Sequence, residues 1–99
     1  MLHMIVATHG PETCGLVNPE AKEKTKTMLE RLEPTAKDLG MMVHGHWVNV
    51  PSHVIFFLVD APNAHVVNRF TRDIQLMEWN TVVVHPVLSA EEMAASRQH

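Results

Sequence analysis

Ninety-nine residues, 45% of them hydrophobic, lie near the common size for one domain: enough for a single core, too few for two, and too apolar for a disordered chain. A formal charge of −3, with only eight lysines and arginines and four of these at Lys22, Lys24, Lys26 and Arg31, leaves no basic surface extensive enough for nucleic acid. One cysteine excludes an internal disulfide, no run is long enough to span a membrane, and residues 1–6 lack the features of a signal peptide, so the expectation is one soluble, cytoplasmic domain over residues 1–99.

Residues 2–9 are β-prone and meet no breaker until Gly10 and Pro11, which makes them a first strand. Asn18 and Pro19 supply an N-cap and a proline at the first helical position. Ala21, Thr25, Met28, Leu29, Leu32, Ala36 and Leu39 then recur as one helix face, which Gly40 ends. Pro34 lacks a donor and crowds the carbonyl of Glu30, which predicts a kink or restart near Glu33. Residues 41–50 and 53–60 read as two strands joined through Pro51 and Ser52 at hairpin spacing. The second of these is apolar on both faces from Val54 to Val59, as a central strand covered on both sides must be. Asn63 caps a second helix whose Val66, Val67, Phe70, Ile74 and Met77 form one stripe, and residues 81–84 form a fourth strand. Ser89 and Glu92 stand at capping-box spacing ahead of a short terminal helix.

This order of elements is that of the ferredoxin-like βαββαβ fold, an α+β class. Right-handed crossovers give a sheet ordered 4-1-3-2 with every neighbour antiparallel. The end of strand one then lies beside the start of strand three. His9 and His53 become neighbours, and the loop carrying Cys14 leaves from the same edge.

The loop His9, Gly10, Pro11, Glu12, Thr13, Cys14 joins an imidazole, a carboxylate and the only thiol. With His53 it offers two nitrogens and a sulfur, a donor set that suits Zn²⁺, copper or another late transition metal. Water, Glu12 or a partner subunit would supply a fourth ligand, or Glu12 would accept from His9 and fix its tautomer. The same atoms without metal suggest a second chemistry. Cys14 precedes a helix N-terminus, where the dipole and a nearby imidazole favour a thiolate nucleophile or redox sensor. They also fit a plain structural use, with two histidines ending strands and a thiol packed under the helix.

His44 and His46, two apart on strand two, share a face of a regular strand and form an alternative ligand pair. His3 and His85 come together at the edge opposite His9. His65 is exposed near the start of the second helix, and His99 is terminal. Trp47 and Trp79 are expected in core or interface packing. Met28 and Met77 fit helix stripes, and only Met4 or the Met41–Met42 pair face a cavity. There is no Gly-rich phosphate loop, nucleophile elbow or catalytic carboxylate pair.

Gly45 to Val50, the apolar strand that follows, and Trp79 to Leu88 together resemble small domains of unknown function in the dimeric α/β-barrel group. The His-x-Pro-Glu-x-Cys loop is similar to that of a subset of these. The resemblance implies two subunits packed sheet against sheet around a cavity. The wider group includes monooxygenases, haem-degrading enzymes, isomerases and stress-response binders, so it also implies an alternative. That alternative is a haem-binding or cofactor-free oxygenase or isomerase, with His44, His46 or His65 as axial ligand. The expected function is a homodimeric binder of a transition metal or small ligand at His9, Cys14 and His53.

Overall fold

Alternation along the first strand decides which side of the sheet carries the core. The computed structural model describes residues 1–96, and His99 lies outside them. Strand β1 (Leu2–Thr8) buries His3, Ile5 and Ala7 on one face and leaves Leu2, Met4 and Val6 half-buried on the other. β2 (Met42–Asn49), β3 (Val54–Asp60) and β4 (Thr81–Pro86) complete an antiparallel sheet ordered β2-β3-β1-β4, as the topology predicts. With α1 (Pro19–Asp38), α2 (Ala64–Asp73) and α3 (Ala90–Ser96), the fold is ferredoxin-like α+β.

The helices supply the other half of one core. Met28, Leu32 and Ala36 of α1, and Val67 and Phe70 of α2, pack with Ile5, Ile55, Phe57 and Val59. Their ends are built as the spacing predicts. Asn18 Oδ1 accepts from Ala21 N at 3.0 Å and Asn63 Oδ1 from Val66 N at 3.0 Å, satisfying donors that no helical carbonyl can reach. Ser89 and Glu92 form the reciprocal capping box at 3.0 and 3.1 Å. At the other end of α1, Gly40 takes a left-handed φ of 68°, and Met41 N reaches Ala36 O at 2.8 Å to close a Schellman motif.

Four expectations are corrected. The helix does not restart near Glu33: α1 is one helix, Pro19–Asp38, with Pro34 inside it. Glu30 and Pro34 are both exposed, so the carbonyl that loses its partner lies on the solvent side while burial continues through Leu32 and Ala36. Met77 is 55% exposed, because the chain turns left-handed at Gln75 (φ 63°) and Met77 falls in a separate 3-10 turn, Leu76–Glu78. His44 and His46 do not act as a regular His-x-His pair. The β2/β3 register shifts between Val43 and Gly45, so His44 is an unpaired bulge residue, while His46 pairs Phe57 on the helix-covered face. His3 is buried on that face too, whereas His85 pairs Met4 on the other, so the two do not meet. Among the described residues, no helix is long and apolar enough to cross a membrane.

Candidate metal centre

Both strands that flank β1 begin beside His9. Thr8 pairs with Val54 of β3 and with Thr81 of β4, so the residue after Thr8 is flanked by the residues that precede those two strands. These are His53 and Asn80. His9 N donates to His53 O at 3.2 Å, which extends the ladder by one step. The two imidazoles sit edge to face with centroids 5.3 Å apart. His53 lies in the turn rather than on β3: its N–H donates to Val50 O at 3.2 Å and its φ is 55°, a left-handed conformation that non-glycine residues seldom adopt.

Cys14 reaches the same corner through a short knot of backbone bonds. A 3-10 turn, Pro11–Thr13, delivers Cys14 N to Pro11 O at 3.3 Å, and Cys14 O accepts from Val17 N and Asn18 N at 3.1 and 2.9 Å. Asn18 caps α1 and also donates through Nδ2 to Glu12 O at 3.0 Å, so the helix start anchors the loop. Gly15 permits this close seat, since a Cβ there would lie 3.0 Å from Thr25 Oγ1. The thiol is buried.

His9, Cys14 and His53 thus form a group able to hold a metal ion, each offering one ligand atom within 4.8 Å of the others. A tetrahedral ion with bonds of about 2.3 Å to sulfur and 2.05 Å to nitrogen holds such donors about 3.3–3.6 Å apart. Binding therefore draws the side chains together by no more than about 1.5 Å, within the reach of χ rotations.

Asn80 decides which nitrogen of His9 is free. Its Nδ2 donates to Leu76 O at 3.2 Å, which turns Oδ1 toward His9, 2.9 Å from Nδ1. An amide oxygen only accepts, so Nδ1 carries the proton and Nε2 keeps its lone pair, the tautomer a metal requires. His9 Nε2 and His53 Nδ1 are both buried with no hydrogen-bond partner among the described residues. Buried polar atoms are almost always satisfied, so two such atoms beside one thiol call for a common partner.

The structure does not bring Glu12 into the group. This residue is exposed, and its carboxylate folds back over Gly10. Asn80, which the sequence reading passed over, holds His9 Nδ1 instead. Asn80→Ala is expected to weaken zinc affinity about 10–100-fold, the usual cost of losing such an orienting partner. Asn80→Asp, which keeps the acceptor, should retain most of it. Competition titration with a chromogenic chelator measures both, and equal losses would contradict the tautomer role.

A cavity of about 630 Å³ opens beside the three residues, between α1 and the end of β2. Trp79 lines it, with its ring tilted 5.1 Å from that of His9. Of the histidines named for axial haem ligation, His46 lines this cavity and His44 and His65 do not. The redox reading has no resolving thiol, because Cys14 is the only cysteine in the sequence. The family described as a domain of unknown function, DUF3303, matches residues 1–99. The chain belongs to this family. No curated protein matches this DUF3303 chain.

Proposed function

We propose that this DUF3303 domain binds one transition-metal ion through His9 Nε2, Cys14 Sγ and His53, with Zn²⁺ or copper as the ions best suited to the donors. One observation carries the reading: two buried, unpartnered imidazole nitrogens and a buried thiol converge within 4.8 Å, with the His9 tautomer set by Asn80. Three protein ligands leave one position for water or a small ligand, the pattern of an open rather than a purely structural site. A reducing, cytoplasmic setting keeps such a thiol available. Elemental analysis of purified protein should give close to one metal per chain, and the Cys14→Ser, His53→Ala double variant should give background. Undiminished metal in that variant would show that the ligands are misassigned.

We also propose that the domain works as a homodimer of the α/β-barrel type, its open sheet face covered by a second copy. The helices cover one face. The other presents Met4, Val6, Phe56 and Leu58, half-buried, and Trp47 and Val83, 55% and 48% exposed. An antiparallel sheet that meets water on one side carries polar residues there; on this face Asp60, His85, Thr8, Thr81 and Asn49 stand at the margins, and the centre is apolar. Four strands of this length span about 19 by 23 Å, a projected area of about 440 Å², roughly half of the 800 Å² per partner of a standard interface before the relief of the side chains is added. Trp47→Glu should convert the dimer to a folded monomer, seen by light scattering after gel filtration together with an unchanged far-ultraviolet spectrum. A monomeric wild type at tens of micromolar would end the idea.

A further inference from the structure

The cavity beside the three ligands has a composition of its own. Met28, Leu29, Val48, Val50 and Ile55 give it apolar walls, and Lys22, Glu23 and Lys26 of α1 add charged groups to its lining. At the end shared with His9 stands Trp79, whose indole Nε1 is buried and has no hydrogen-bond partner among the described residues. An indole N–H can only donate, so the partner it lacks is an acceptor. Leaving a buried donor unpaired is costly, and apolar pockets with one or two placed polar groups are the usual form of small-molecule sites.

We propose that this cavity binds a small, mainly apolar molecule bearing a carbonyl-type oxygen, a ketone or a carboxylate, that accepts from Trp79 Nε1–H once a turn of the half-buried indole brings this buried donor to the cavity. The apolar body lies along Met28, Leu29, Val48 and Ile55. The oxygen lies at the His9 end, where it also completes the coordination of the metal; this last element rests on the metal reading, whereas the contact with Trp79 does not. A volume of about 630 Å³ is within the range of sites for molecules of this size.

Calorimetric titration of three eight-carbon probes, 2-octanone, octanoate and octylamine, into metal-free and zinc-loaded protein tests the assignment. Both oxygenated probes should bind metal-free protein, and octylamine, which brings donors but no acceptor, about tenfold more weakly. Zinc loading should tighten the oxygenated probes by about tenfold or more. Leu29→Asp changes a side chain 54% exposed, so the fold is retained, and the charge it places on the wall should abolish measurable binding of octanoate without altering zinc content. Trp79→Phe keeps a ring and removes the donor, and should weaken both oxygenated probes about three- to tenfold. Failure of both oxygenated probes to bind in either form, or affinities indifferent to Leu29→Asp and Trp79→Phe, would overturn the ligand assignment while leaving metal stoichiometry intact. Octylamine binding metal-free protein as well as 2-octanone would overturn the acceptor assignment. Probes that bind metal-free protein but do not respond to zinc, or zinc that does not bind, would overturn the metal contact alone.

Discussion

Zinc added to metal-free protein should raise its unfolding free energy by about 4 kcal/mol at a thousandfold excess of free ion over Kd, and the Cys14→Ser, His53→Ala double variant should show none of this gain. The size follows from mass action alone, since an ion that binds the folded chain and not the unfolded one shifts the equilibrium by the logarithm of its saturation. The folded chain holds its three donors together through contacts that disappear on unfolding: His9 to His53 by a ladder bond, His9 to Asn80 by a side-chain bond, and Cys14 to the start of α1 by its carbonyl. For a domain of this size the gain corresponds to a rise in melting temperature of about 15 to 30 °C. Paired thermal melts of wild type and double variant, each with zinc and with chelator, measure it. A chelator-insensitive wild type, or an equal zinc response in the variant, would count against the centre.

The convergence of His9 and His53 is legible in the sequence because breakers delimit β1 and β3, and antiparallel pairing then makes the end of one the neighbour of the start of the other. Asn80 is placed by the same rule applied to β4. It stands just before Thr81, and Thr81 pairs with Thr8 as Val54 does. Residue types chosen for metal affinity do not include an amide whose role is to accept a hydrogen bond from His9 Nδ1. The bulge at His44 was signalled too, since a glycine inside a strand, here Gly45, commonly marks an irregular register. What the sequence could not show is the dihedral angle at His53 or the exposure of Pro34, because both depend on how the hairpin closes and on which side α1 turns to the sheet. Apolar on both faces, β3 is expected to be covered on both sides. Its helix-free face, with Phe56 and Leu58, is the part of that expectation that only a second copy would meet.

Replacing His53 by glycine should yield a more stable protein than replacing it by alanine, the reverse of the usual order of those residues. At φ 55° an alanine keeps the Cβ clash of the left-handed region, about 1–2 kcal/mol, and glycine escapes it. Glycine gives back about 0.4–1 kcal/mol through the greater freedom of the unfolded chain, so a net advantage of about 1 kcal/mol remains. In a 99-residue chain that is a melting difference of about 4–8 °C between two variants that lack the same imidazole and so lose the same contacts with His9. Metal should be lost to the same extent in both. The comparison separates the two things His53 does at once: it occupies a strained turn position, held by His53 N to Val50 O and His9 N to His53 O, and it projects a buried nitrogen at Cys14 and His9. Strain of this kind persists where a site requires it. Thermal melts of the two metal-free variants decide the matter, and an alanine variant as stable as the glycine one would show that the turn stores no strain for the imidazole to justify.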